Sequence, residues 1–190
     1  MQTPSSPTPE NHLDTALGAL ALDGEWRLVL DELPVPIYTT NVHGEVTYWN
    51  RACIEFAGRV PQLGRDRWCV TWRLFTLEGE PLPHAECPMA IAIRERRRVR
   101  NVEAIAERPD GTRIQFMPFP TPWFDADGNF AGAINLLLDV TCQRQVETLR
   151  TQAARCRRLA NSIGDRQAVE VLSAMAVEYD AQAELIVTPN

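Results

Sequence analysis

The chain has no lysine. All nineteen of its basic residues are arginine, which excludes chemistry that needs the protein's own lysine amine, including Schiff-base catalysis and the usual Walker A phosphate site. Histidine is scarce, with three residues, so few side chains can titrate near neutrality. No apolar run approaches the roughly 18 residues of a membrane-spanning helix. The N-terminal MQTPSSPTPE lacks the basic and apolar regions of a secretory signal. No membrane partner is therefore expected, and the expected location is cytoplasmic. The five cysteines, Cys53, Cys69, Cys87, Cys142 and Cys156, include no Cys-x-x-Cys pair, which fits neither a disulfide framework nor a zinc signature. A formal charge of −6 argues against a protein that coats nucleic acid.

What is present describes one domain with appended segments: 190 residues, 45% hydrophobic and 23% charged. Residues 1–32 carry six acidic residues against one arginine, so most of the net charge lies ahead of the core. Residues 1–12, rich in Pro, Ser and Thr, are predicted to be disordered. Residues 13–32 read as a flanking helix, interrupted or split in two, because Leu13, Leu17, Leu20, Trp26 and Leu30 fall near helical spacing while Gly18 and Gly24 oppose it. Residues 33–141 balance their charges and alternate short β-rich runs with turns. Residues 142–183 have few turn formers and many alanines, predicting a helical hairpin, with 184–190 as a flexible tail.

In the middle segment, Ile37–Thr40 and Glu45–Trp49 flank the turn Asn41-Val42-His43-Gly44 and predict a hairpin. Asn50 follows and is placed to cap a short helix with its side-chain oxygen. Residues 60–87 show poor periodicity, and Pro88 suits the first turn of the next helix. Three further strands are predicted: Val99–Glu107, Thr112–Phe124 and Phe130–Asp139. Their separators are Arg108-Pro109-Asp110-Gly111 and Asp125-Ala126-Asp127-Gly128. Pro118, Pro120 and Pro122 require an edge position or a bulge in the second of these.

This order of motifs resembles the PAS family of sensory domains over residues 30 to 141. The resemblance rests on the hairpin with its Asn41-x-x-Gly44 turn, the Asn50-Arg51-Ala52 helix start, the Arg108-Pro109-Asp110-Gly111-Thr112 turn, Asp125-x-x-Gly128, Gly132 and Asp139-Val140-Thr141. It implies an α+β fold with a five-stranded antiparallel sheet, intervening short helices, and flanking N- and C-terminal helices. It also implies a small apolar cavity and a signalling junction at Asp139 and Thr141, where either side chain can cap the outgoing helix.

The resemblance names no cofactor. Cys69 and Cys87 do not lie in the Asn-Cys-Arg-type motif of flavin-binding PAS-like light sensors. The helix Pro88–Arg97 lacks the histidine of PAS-like haem sensors, which leaves His84 or Cys87 as candidate haem or metal ligands. Three residues apart, these two can share a metal only if two distant ligands join them; as a nucleophilic pair they lack an oxyanion hole and a third group. In the structural reading, His84 orients its loop and Cys87 is a small buried hydrophobe. Candidate cavity residues are Tyr38, Phe56, Trp72 and Asn135, the last because a buried amide needs a partner. The basic run Arg94–Arg100 reads as a solvated helix end.

In the C-terminal part, Cys142, Val146, Leu149, Ala153, Cys156 and Ala160 recur at steps of three and four, and a second helix is predicted after Asp165. No histidine follows His84, so no phosphoacceptor helix of the histidine-kinase type is present. The expected function is a non-enzymatic sensory or regulatory module that works through an unidentified signalling protein as a homodimer, with a small molecule as the candidate cavity ligand. The alternatives are a ligand-free dimerisation module and a small enzyme or metal- or haem-binding protein that uses His84 and Cys87.

Overall fold

A computed structural model describes residues 8–20, 26–125 and 127–187 of the chain. It divides into two compact units, Met1–Asp139 and Val140–Asn190. In the first, α1 (Pro9–Leu20) and α2 (Trp26–Asp31) precede β1 (Ile37–Thr40), β2 (Val46–Trp49) and α3 (Arg51–Ala57). Then come β3 (Arg73–Phe75), a 3-10 turn (His84–Glu86), α4 (Pro88–Glu95), β4 (Ala104–Glu107), β5 (Arg113–Pro118), β6 (Thr121–Phe124) and β7 (Phe130–Asp139). The strands run antiparallel in the order β2-β1-β7-β5-β4-β3, with β6 also on β7.

The sheet has seven strand segments among the described residues rather than the five expected. One is β3, in the stretch that showed no periodicity. The other arises because the predicted strand Thr112–Phe124 breaks after Pro118. Proline cannot donate to a ladder, so β5 and β6 pair with successive parts of β7, Phe116–Pro118 against Leu137–Asp139 and Thr121–Phe124 against Phe130–Ile134. Predicted strand Val99–Glu107 shortens to β4, and Arg96, in the left-handed region, ends α4 before the predicted Arg97.

Alternation along β7 sorts its side chains into two cores, as the period of two in a strand requires. Ala133 and Leu137 join Tyr38, Cys53, Phe56, Met89, Ile93 and Phe116 on the face covered by α3 and α4. Ile134 and Leu136 join Ile37, Leu13, Ala16 and Leu30 on the face covered by α1 and α2. Each fully buried Leu, Ile or Phe contributes about 1.5–3 kcal/mol by leaving water, so α1 and α2 supply a substantial share of the sheet's burial. The expected disorder of residues 1–12 overlaps α1, which starts at Pro9; residues 1–7 and 21–25, with Gly24 among them, lie outside the described residues. A Cβ on Gly132 would sit 1.9 Å from the Thr40 carbonyl oxygen, so only glycine lets β1 and β7 pair here.

Asn50 occupies the N-cap of α3 but makes no side-chain cap bond. It is fully buried, and its Oδ1 accepts from the Ile37 N–H at 3.0 Å while Nδ2 donates to the carbonyls of Leu30, Leu33 and Val35 at 3.1, 3.3 and 2.9 Å. The predicted cap is therefore a clasp on the segment that joins α2 to β1. The amide turns backward to satisfy backbone groups of that segment, among which the Leu30 carbonyl also accepts from the Leu33 N–H at 3.3 Å.

In the second unit, α5 (Thr141–Ser162) and α6 (Arg166–Val187) form a hairpin. Ala153, Cys156 and Ala176 pack together with Leu172 and Tyr179, and Arg157 pairs with Asp180. Asp165 Oδ1 accepts from the N–H groups of Gln167 and Ala168 at 2.8 and 3.2 Å, which starts α6. Of the predicted stripe, Val146, Ala153, Cys156 and Ala160 are buried and Cys142 is exposed. The predicted tail 184–190 is helical to Val187, and 188–190 lie outside the described residues.

Candidate functional site

The predicted site residues separate into a buried group and a surface group. Tyr38 on β1 and Asn135 on β7 face each other in register. Asn135 Nδ2 donates to the Tyr38 hydroxyl at 3.0 Å, and that hydroxyl donates to the Trp68 carbonyl at 2.9 Å. Asn135 Oδ1 accepts from the Phe119 N–H at 2.9 Å, where the chain crosses between β5 and β6. The same N–H donates to the Leu136 carbonyl at 2.8 Å, so the amide reinforces the backbone bond that ties this crossing to β7. Phe56 packs in the same core, edge to face with Phe116 at 5.4 Å. Burial first, then Cys69 and Cys87, push the Tyr38 phenol well above its ordinary pKa, so it remains a donor.

Trp68 joins the two groups. Its backbone lies in the left-handed region at φ 67°, sparsely populated for a residue with a Cβ. Three hydrogen bonds hold it near there: its N–H to the Gly44 carbonyl at 2.7 Å, its carbonyl to Tyr38, and the Cys69 N–H to the Arg67 carbonyl at 2.8 Å. The indole lies over the hairpin turn, where a Cβ on Gly44 would fall 2.1 Å from the ring. Asn41 shapes that turn by accepting from the His43 and Glu45 N–H groups at 2.9 and 3.0 Å.

Beyond Trp68 lies a surface pocket of about 370 Å³. Arg59, Arg65, Asp66 and Arg67 form its polar wall, and Trp72 and His84 its far side. Arg59 donates to Asp66 at 2.7 Å and to the Val70 carbonyl at 3.1 Å. Asp66 also accepts from the Gln62 N–H at 2.8 Å. The visible sequence signal was three arginines and an aspartate within Arg59–Arg67, in a stretch otherwise read as loop.

Trp72 does not join Tyr38, Phe56 and Asn135 in the core. It is 48% exposed, because the neighbouring Thr71 takes the inward position and bonds Cys69 Sγ and His84 Nε2. His84 is half-buried in its 3-10 turn, where burial and then the Arg59 charge lower its pKa and Asp66 opposes them. Cys87 is buried near the Trp68 carbonyl, and burial followed by Cys69 pushes its thiol up to about 12. A thiol so held is a poor nucleophile and a poor metal ligand. Among the described residues no three His, Cys, Asp or Glu side chains gather to hold a metal. No helix of the described residues is long and apolar enough to cross a membrane.

The basic run is not one solvated face. Arg94, Arg97 and Arg98 are exposed, but Arg100 turns back to donate to the carbonyls of Val99 and Pro120 at 2.9 and 3.0 Å, to Thr121 at 2.9 Å and to Glu10 of α1 at 2.8 Å. At the predicted junction, Asp139 ends β7, Thr141 opens α5, and Val140 between them is the N-cap residue. The predicted cap position thus falls one residue from either side chain.

Comparison with known proteins gives the order of these elements a family. No curated protein matches the sequence. An RNA-binding light-oxygen-voltage receptor is similar at 22% identity and a TM-score of 0.44, over 74% of this chain and 37% of that one. The LOV protein of Rhodobacter sphaeroides is similar at 12% identity and a TM-score of 0.48, over 93% and 97% of the two chains. The PAS domain of Bordetella pertussis BvgS is similar at 20% identity and a TM-score of 0.43, over 66% and 94%. The family described as PAS domain matches residues 34–141, which span the hairpin with Gly44, Asn50 itself, the Tyr38–Asn135 pair and the whole of β7. That match takes in more than half of the sequence, and the chain belongs to the PAS domain family.

Proposed function

We propose that this chain is a non-enzymatic sensory or regulatory module that signals from the cytoplasm through a protein partner, as a homodimer held by its C-terminal helices. PAS domains are in general signal-sensing modules, and the proposal adds how this one transmits. The observation that carries it is continuity: the strand bearing Asn135 passes through the single residue Val140 into the 22-residue helix α5. Asp139 and Thr141 are the hinge in this reading. A change felt by the Tyr38–Asn135–Trp68 network would reach the helices by altering β7, provided a ligand binds the two arrangements unequally.

Exposed apolar side chains on the hairpin support the dimer. Leu159, Val171, Met175, Val177 and Leu185 all face water in the single chain, Leu185 at 73%. Apolar side chains left exposed on two helices supply an interface where they form a contiguous patch. Sedimentation velocity on the full chain tests this: a dimer at micromolar concentration that becomes a monomer in V177E/L185E is expected. A wild-type monomer, or a dimer that both substitutions leave intact, would remove the helices from the proposal.

A further inference from the structure

Two surface pockets meet at Trp72 and His84, which line both. One is the arginine pocket described above. The other, about 420 Å³, is apolar and is walled by Leu74, Phe75, Leu82 and the prolines beside Leu82. Volumes of this size are those of small-molecule sites. The charge on the polar side is not balanced. Asp66 is committed to Arg59, while Arg65 donates to the Gln62 side-chain carbonyl at 3.3 Å and Arg67 to the His43 carbonyl at 2.7 Å. Both acceptors are neutral, and neither arginine forms an ion pair among the described residues. Arg67 is also stacked over the Trp68 ring at 5.2 Å, which leaves its planar fork steered rather than free.

We propose that the double pocket binds an amphipathic small molecule, with an oxyanion head held by Arg65 and Arg67 and an apolar body lying across the Trp72 indole into the Leu74–Phe75–Leu82 groove. Carboxylate and phosphate heads share the required chemistry, two or more acceptor oxygens that match a guanidinium fork. The half-exposed indole gains by losing water to an apolar body, and neither feature alone accounts for the other. The wall that contacts the head is the Arg67–Cys69 segment, whose Trp68 carbonyl holds Tyr38, so occupancy is registered one bond from the buried network. The inference stands whether or not the chain dimerises.

The test is a chemical-shift titration of the full chain, following the Trp72 indole and His84 imidazole signals. Decanoate and decyl phosphate are the probes, with decanol as body alone and inorganic phosphate as head alone. Saturable shifts with at least one amphiphile are expected, at least tenfold tighter than with decanol or inorganic phosphate. The preference between the two amphiphiles identifies the head. R65Q/R67Q and W72A should each weaken binding about tenfold, whereas R51Q, on a side chain 88% exposed on α3, should leave it unchanged. If the double variant does not fold, the wild type still decides, since affinity for the amphiphile must fall as salt rises. Absence of saturable shifts, decanol binding as tightly as decanoate, or inorganic phosphate binding as tightly as decyl phosphate would each overturn the proposal.

Discussion

Replacing Asn50 by alanine separates two accounts of this residue by magnitude. A helix cap alone is worth about 1 kcal/mol. The structure instead gives the Asn50 side chain four bonds to the α2–β1 segment and no cap bond to α3. Alanine would strand the buried Ile37 N–H, a loss of about 1–3 kcal/mol by itself. It would also remove the Nδ2 donor from three carbonyls, of which Leu30 keeps the Leu33 N–H, and leave a void at a position with no solvent exposure. Together these set the expected loss at about 3 kcal/mol or more, a fall in Tm of roughly 6–12 °C for a protein of this size. Urea unfolding followed by tryptophan fluorescence measures it. Asn50→Asp adds an independent check of sign. Its oxygen could still accept from Ile37, but a carboxylate would face three carbonyls, so burial raises its folded-state pKa above the unfolded value. The folded state then holds more protons, and the variant should lose stability as pH rises from 4 to 8, relative to wild type. A loss of 1 kcal/mol or less in the alanine variant, with no such slope in the aspartate variant, would refute the clasp.

The remaining expectations follow from other single groups. Tyr38→Phe removes the donor to Trp68 and the acceptor of Asn135 Nδ2, and should cost about 1–3 kcal/mol in the same unfolding assay; a neutral result would mean that the network contributes nothing to stability. Thr40→Val should be neutral or stabilising, up to about 1 kcal/mol, because the buried Thr40 hydroxyl has no hydrogen-bond partner among the described residues, and a clear loss of urea resistance would show that the hydroxyl is satisfied. The lowered pKa of His84 means that the unfolded chain binds the proton more readily. Its share of stability is present above about pH 6.5 and is lost as pH falls toward the folded value. Comparing the stability slope of wild type and His84→Gln between pH 7.5 and 5 should show the slope reduced in the variant; identical slopes would contradict the burial described for this ring. Gly44→Ala must move the Trp68 indole as well as strain the turn, so a shifted tryptophan emission should accompany its loss of stability, and an unchanged spectrum would mean that the indole does not cover the turn.

Features set by neighbours in sequence were legible, and those set by distant partners were not. The Asn41-x-x-Gly44 hairpin, the β7 strand and the break before α6 could be read because a turn residue or a cap bonds its own backbone within four positions. The proline argument also located the disruption between β5 and β6, although it could not show that Asn135 bonds Phe119 there, since that needs the β5–β6 crossing laid against β7. Asn50 was placed correctly at the start of α3 and given the wrong bonds: every partner of its side chain lies 13 to 20 residues upstream. Trp72 lies apart from the buried group for a related reason, because the choice between it and Thr71 for the inward position depends on His84.

The arginine pocket was the least legible part, and its construction explains why. Its wall has no period of its own; the hairpin 20 to 24 residues earlier holds it, through the backbone bonds of Gly44 to Trp68 and Val46 to Asp66. A loop positioned in this way can vary its exposed arginines without cost to the core, while the Trp68 carbonyl cannot shift without disturbing Tyr38. The division places ligand selection and response on adjacent residues of one loop. Changes at Arg65 and Arg67 should therefore alter what binds with little effect on stability, and changes at Tyr38 or Asn135 should alter stability even when the pocket is empty. Unfolding and binding measured on the same four variants would distinguish that arrangement from one in which every residue of the loop serves both ends.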